Sequence, residues 1–251
     1  MFSNNMLTCT SNILYIRAGL RPLARQIKAH KGLINFLKAH IQFEECFAPH
    51  FYGARPVWRN VSKRGFPPPT NSGPLGKLIA NLPEAQLSKH PTHPFVGYGK
   101  HVTEVLAKHN IEKECFFPIR EIAEQHDFSM LLLGCVEESP GFSTVHAAQN
   151  ILGLTQRHLM RYVMRWDEVD NGRIKSRVAP EVPGCSSSFN KFYSHYLDDG
   201  NMIEGDWDGV KWLFIPSAKR ALNVELTLLR KNPRFVNCGN RLCPTCGFRS
   251  Y

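Results

Sequence analysis

Short apolar runs and stretches of helical periodicity alternate along this chain from one end to the other. Ile13-Leu14-Tyr15-Ile16 is an apolar run of β type that gives way to Arg17-Ala18-Gly19-Leu20, as a strand does on entering a turn. A helical pattern covers residues 33–41, and residues 43–47 read as a second strand. Residues 75–82 predict a short helix that Pro83 stops, because proline lacks the N–H and clashes with the preceding turn. Val102, Val105, Leu106 and His109 share one face of the next helix, with Lys100 and Lys108 outside it. The apolar run within residues 129–135 is too short for a free-standing helix and predicts a central strand buried on both faces. It leads through Gly134 and Ser139-Pro140-Gly141 into a helix starting near Ser143. Residues 158–179 alternate apolar and charged positions around Asp170-Asn171-Gly172, the pattern of a β-hairpin. Further helices are expected at residues 189–197 and from Ser217 onward, where Ala218, Leu222, Leu226 and Leu229 fall along one line. Residues 53–74, rich in Gly, Pro, Arg and Asn, read as an irregular surface loop.

Interleaved strands and helices over the whole length predict a single α/β layered domain, with the hairpin inserted into its sheet and making it mixed. Residues 1–11 are expected to be loosely ordered, residues 12–236 to form the domain, and residues 237–251 to pack on it as a cysteine-containing tail. Composition agrees. With 251 residues, 43% of them hydrophobic and 11% aromatic, the chain has the material for a buried core and is not a disordered polymer. No apolar stretch approaches the roughly 18 residues of a membrane span. Residues 1–10 carry neither a basic flank nor an apolar run, so no secretory signal is expected and the location is read as cytoplasmic.

The formal charge of +10 favours anionic partners, whether nucleic acid, an anionic membrane face or a phosphorylated small molecule. Lys and Arg never run longer than two residues, which argues against nucleic acid. Eight cysteines are scattered singly except for three near the C-terminus; in a cytosolic chain they read as thiols or metal ligands rather than a disulfide framework.

Chemistry concentrates where the buried strand ends at Gly134 and a helix begins, the place where open α/β sheets put their functional crevice. On that helix His146, Gln149 and Asn150 share one face. An imidazole there has the proton affinity to act as a base near neutral pH, and the helix dipole favours its neutral form. The alternative is a structural histidine with its hydrogen bonds satisfied in the interior. A second segment, Ser88-Lys89-His90-Pro91-Thr92-His93-Pro94-Phe95-Val96-Gly97-Tyr98-Gly99, combines a rigid extended backbone with glycines that permit close approach of a ligand. Near the C-terminus, Cys238, Cys243 and Cys246 surround a Cys-Pro-Thr-Cys-Gly turn, the kind that presents two thiolates to zinc, with Cys185, brought near by the fold, or a histidine as the fourth ligand. A redox pair or reduced surface thiols are the other readings of these cysteines.

These pieces, in this order, resemble the aminoglycoside 3-N-acetyltransferase (antibiotic N-acetyltransferase) family. His90-Pro91-Thr92-His93-Pro94-Phe95 is similar to the family's His-Pro-Thr-His-Ser-Phe, and Leu-Leu-Leu-Gly followed by Thr144-x-His146-x-x-Gln149 to its Leu-Leu-Gly and Thr-x-x-His-x-x-Glu. Ile16 to Leu23 matches the opening strand and turn, and Asn71-Ser72-Gly73-Pro74-Leu75-Gly76 a Ser-Gly-Pro-Leu-Gly element. The likeness extends over about residues 12–246. It implies an αβα layered sandwich with a mixed sheet, unrelated to the GNAT acetyltransferases, and direct acetyl transfer from acetyl-CoA to an amine. It implies His146 as general base. The cofactor site would comprise Arg17, Ala18, Gly19, Leu20 and Arg21 at the opening turn, with Ser72, Gly73 and Pro74, and with Ser88 and His90 of the histidine-rich segment.

The chain also departs from the pattern. Gln149 stands in place of the family's Glu, so Glu137 or Glu138 is expected to supply the missing carboxylate, with Glu138 named as the catalytic partner. Leu87 replaces an Arg, Pro94 a Ser, and Ala18-Gly19 two serines. Aminoglycosides are polycations, and a chain of charge +10 is an unusual partner for them. The expected acceptor is therefore an amino group on a sugar-like or phosphorylated small molecule, with an aminoglycoside or other amino sugar retained. The protein is expected to be a monomer or homodimer with a possible structural zinc. The alternative reading is a basic, zinc-containing nucleic-acid-binding module that keeps the fold without the chemistry.

Overall fold

The computed structural model describes residues 6–59, 70, 72–170, 173–240 and 242–247. Its strands are β1 (Leu7–Thr8), β2 (Ile13–Ala18), β3 (Ile41–Gln42), β4 (Glu45–Pro49), β5 (Arg55–Pro56), β6 (Gln86–Leu87), β7 (Phe95–Tyr98), β8 (Ser129–Leu133), β9 (Met164–Asp170), β10 (Arg173–Val178), β11 (Ile203–Trp207) and β12 (Val210–Ile215). Its α-helices are α1 (Ala24–Ala29), α2 (Leu33–Lys38), α3 (Leu75–Ala80), α4 (Lys100–Lys108), α5 (Phe117–Gln125), α6 (Thr144–Ile151), α7 (Tyr193–Asp198), α8 (Ala218–Lys231) and α9 (Pro244–Gly247).

Seven strands form the central sheet in the order β11-β12-β8-β2-β4-β7-β6. The middle is parallel, β8 and β4 both running with β2, and antiparallel strands flank it on either side. Alternation along the strands sends apolar side chains to both faces. Ile13, Tyr15, Met130 and Leu132 meet α4, α5, α6 and α8 on one side, while Leu14, Ile16, Leu131 and Leu133 meet α2 and α3 on the other. Two apolar cores, one per face, make the molecule a three-layered αβα sandwich, as the family resemblance implies. The run Met130 to Leu133 is apolar throughout because both its faces are covered. Among the described residues no helix is long and apolar enough to cross a membrane.

Several elements differ from the sequence reading. The hairpin forms as read, with Arg173 opposite Asp170 and Val178 opposite Arg165, although Asn171 and Gly172 lie outside the described residues. It does not join the central sheet. β9 pairs instead with β5, inside the stretch expected to be irregular, and Arg55 closes a bidentate ion pair on Asp167 at 2.6 and 2.7 Å. The mixed character of the central sheet comes from β6, β7, β11 and β12. Residues 6–11 were expected to be loose with the rest of the N-terminus, but β1 pairs with β3 and Cys9 is buried, so backbone pairing and apolar burial order them; residues 1–5 lie outside the described residues. The helix expected at residues 189–197 opens as a 3-10 turn (Phe189–Phe192) before α7.

Candidate active site

Where β8 ends, the chain turns through residues 134–143 and enters α6, opening a cleft of about 390 Å³ on the α6 side of the sheet. Arg17 and Ala18 line it from the end of β2, Phe51 and Ser72 from the far side, and Cys135, Ser139 and Ser143 from the turn. His93, Phe116, His146 and Phe189 line the cleft, as do Pro183, Gly184 and Ser186. Among the described lining residues Arg17 is the single Lys or Arg, and there is no carboxylate.

His146 is clamped between rings. Phe116 stacks on it with centroids 4.5 Å apart, and Phe189 meets it edge-on at 4.7 Å. Its Nδ1 lies 3.2 Å from Gln149 Oε1. An amide oxygen only accepts, so Nδ1 carries the proton and Nε2 is left as the basic nitrogen of the ring. Gln149 thus takes the orienting place expected of a carboxylate. Glu138 does not: it is exposed and outside the cleft lining, and Glu137 forms a surface ion pair with Lys211 at 2.9 Å. Asn150, the third residue of that face, points elsewhere and donates to Glu181 Oε2 at 2.8 Å.

The helix carrying His146 is anchored from behind. Thr144 Oγ1 and the Tyr196 hydroxyl both donate to Glu225 Oε1, joining α6, α7 and α8 at a fully buried carboxyl. Burial pushes the Glu225 pKa up to about 8 against the lowering effect of these two hydrogen bonds, so the group is largely neutral at pH 7. The turn is pinned from above. Arg17 donates to Gly141 O at 2.7 Å and to the Ser139 side chain, and the Gly141 N–H donates to the Tyr193 hydroxyl at 2.7 Å. Gly141 has φ +84°, and a Cβ there would lie 2.0 Å from Phe189 Cβ, so only glycine fits.

His93, which the sequence reading quoted within the His-Pro-Thr-His run but gave no role in the site, faces His146 across the Phe116 ring. Burial holds its pKa well below the usual histidine value, and the neighbouring His90, His146 and His109 add to the effect. It is a neutral imidazole, with Nδ1 2.9 Å from Thr92 Oγ1.

Of the expected cofactor residues, Arg17, Ala18 and Ser72 reach the cleft. Ser72 Oγ accepts the Phe51 N–H at 2.9 Å, so it sets one of the cleft's rings. Gly19, Leu20, Arg21, Gly73 and Pro74 do not line the cleft. The Gly19 N–H is taken by Leu133 O at 2.9 Å, Leu20 packs towards the opposite core, and Arg21, Gly73 and Pro74 are exposed. Ser88 and His90 are buried behind the site. Ser88 Oγ accepts the Phe95 N–H, and His90 Nδ1 accepts the N–H groups of Thr92 and His93. These two residues shape the turn that presents His93. His93, Phe51, Phe116 and Phe189 were missed because they come from four separate segments, and only the His-Pro-Thr-His run carried a sequence signal.

The C-terminal cysteines do converge. Metal-ligating atoms of Cys185, Cys238, Cys243 and Cys246 all lie within 4.8 Å of one another. Burial alone raises a thiol's pKa, but hydrogen bonds from Thr245, Cys246 and Cys238 prevail at Cys243 and lower it to about 6. His90, His93 and Cys115 also approach one another; His90 Nδ1 accepts two backbone N–H groups there, and His93 Nδ1 lies 2.9 Å from Thr92 Oγ1.

A family model described as aminoglycoside 3-N-acetyltransferase matches residues 54–225. The chain belongs to the aminoglycoside 3-N-acetyltransferase family. This is a family of acyltransferases, in which acetyl-CoA is the acetyl donor. The fold agrees. The apoenzyme of aminoglycoside acetyltransferase AAC(3)-IVa superimposes with a TM-score of 0.74 at 16% identity, covering 96% of this chain and 90% of that one. The YokD protein of Bacillus subtilis gives a TM-score of 0.68 at 15% identity, over 92% of this chain and 90% of that one. The binary complex of AAC-IIIb with CoASH gives 0.65 at 15% identity, over 89% and 91%. No curated protein sequence matches the chain.

Proposed function

We propose that this protein transfers the acetyl group of acetyl-CoA directly to an amine in the cleft, with His146 as general base. The observation that carries this reading is the pairing of His146 Nδ1 with Gln149 Oε1, which leaves Nε2 as the basic nitrogen of a cleft imidazole. The amine nitrogen attacks the thioester carbonyl while His146 takes its proton; the C–S bond then breaks, and the imidazolium returns the proton to the departing thiolate. The products are an N-acetylated amine and free CoA. Arg17, Ala18 and Ser72, at the opening-turn side of the cleft, are the residues that would meet the cofactor. The Arg17 charge suits its phosphates.

The acceptor is read from what the cleft offers: four phenylalanine rings, serine hydroxyls and two imidazoles, without a carboxylate among the described lining residues. A polycation would leave several charges unpaired in such a site, whereas an amine with a single positive charge, on a neutral or phosphorylated sugar-like body, would not. The reading of a nucleic-acid module without chemistry is disfavoured by a cleft that keeps an oriented imidazole.

The test is thiol release from acetyl-CoA against three sets of amines: neutral amino sugars, phosphorylated amino sugars and polycationic aminoglycosides. Amine-dependent release is expected, with kcat/KM highest outside the polycations. Absence of release with every amine would overturn the acetyl-transfer reading, and a polycation as best substrate would overturn the acceptor assignment.

A further inference from the structure

We infer that Cys185, Cys238, Cys243 and Cys246 bind one zinc ion, and that this ion holds one wall of the catalytic cleft in place. The donor set is four thiols with no carboxylate, the composition of a closed structural zinc site. A zinc–sulfur distance of about 2.3 Å puts the sulfurs of a tetrahedral site about 3.8 Å apart. Ligand atoms that already lie within 4.8 Å of one another need only small adjustments to reach that geometry.

Hydrophobic packing does not account for the convergence. Val236 is the last buried residue of the chain among those described, and Leu242 is 90% exposed. Beyond Val236 the described tail is held by polar contacts: Lys191 Nζ donates to Asn237 O, and His158 Nε2 donates to Thr245 O at 2.6 Å. A segment without a core pays the ordering entropy of its backbone from some other source, and four thiolate–metal bonds supply it.

The consequence for the cleft follows from the neighbours of Cys185. Pro183, Gly184 and Ser186 all line the cleft, and Cys185 lies between them. Its sulfur turns away towards the tail, where it also meets Ser187. Three of the four ligands come from the C-terminal tail and one from the cleft wall, so the ion ties the wall to a remote part of the chain. This is a structural role: nothing in it requires the metal to touch substrate.

The experiment uses the full chain purified in reducing buffer without chelator. Zinc measured by plasma mass spectrometry is expected at one equivalent per chain, to be lost in Cys185→Ser and Cys243→Ser, and to persist in Cys9→Ser. Zinc far below stoichiometric in the wild type, or zinc retained in both ligand variants, would overturn the site. Wild-type protein stripped of zinc and then reloaded tests the coupling without relying on a variant that folds poorly. Hydrogen exchange at residues 183–187 is expected to quicken about tenfold or more on stripping and to recover on reloading, with β8 unchanged. Exchange at residues 183–187 that does not respond to zinc would overturn the link between the ion and the cleft wall.

Discussion

His146 Nδ1 and Gln149 Oε1 are 3.2 Å apart on successive turns of α6, so the protonated nitrogen of the candidate base is chosen by an amide. A carboxylate in that place would orient the ring and also raise its proton affinity; the amide only orients it. Gln149→Leu keeps the size and removes the acceptor. A hydrogen bond is worth about 1 kcal/mol, so kcat is expected to fall by roughly fivefold. Gln149→Glu is expected to move the acidic limb of the kcat/KM profile to higher pH, because a nearby negative charge stabilises the imidazolium. Steady-state pH profiles of the two variants check both outcomes, and an unchanged limb in Gln149→Glu would remove Gln149 from the role described.

The turn before α6 makes a prediction about stability. Gly141 and Gly73 both have positive φ, but a Cβ at Gly73 meets nothing within 4 Å while one at Gly141 lies 2.0 Å from Phe189 Cβ. Gly73→Ala is expected to cost about 1 kcal/mol from backbone conformation alone. Gly141→Ala adds a steric clash beside the Phe189 ring that packs on His146 and is expected to cost about 3 kcal/mol. Urea unfolding of both variants ranks them; equal stability would show that the turn yields without disturbing Phe189.

Glu225 gives the fold a pH dependence of known sign. Its pKa is raised from 4.5 to about 8 in the folded chain, so folding favours the protonated form. The stability this group contributes is fully present below pH 4.5 and is lost as the pH rises through about 8. Glu225→Gln keeps a neutral group of the same shape and removes that titration. The variant is expected to gain stability relative to wild type as the pH rises between these values, measured as the difference in unfolding free energy across the range. A constant difference would mean that Glu225 does not titrate in this window.

Much of the architecture was legible because single strands and helices carry their own periodicity. The apolar run at Met130 to Leu133 and the Val102, Val105, Leu106 face are visible in sequence since burial on two faces or on one leaves different patterns. The partner of a strand leaves no such mark. The hairpin of β9 and β10 could be read from its alternation, but its pairing with β5, accompanied by the Arg55–Asp167 ion pair, joins segments 112 residues apart in sequence. The site divides in the same way. His146 and Gln149 were legible because they share one helix face. Phe116 and Phe189, which clamp the imidazole, are ordinary core residues by composition and acquire meaning only once four segments meet. Ser88 and His90 were placed one layer too far forward, because a motif that shapes a turn and a motif that binds a ligand use the same residue types.

The most direct test of the catalytic reading is His146→Ala assayed by thiol release with the best amine, alongside CoA binding by calorimetry. Removing a general base is expected to lower kcat by about 10² to 10⁴, with the affinity for CoA unchanged. Turnover within about threefold of wild type in that variant, with CoA still bound, would contradict the assignment of His146 as the base.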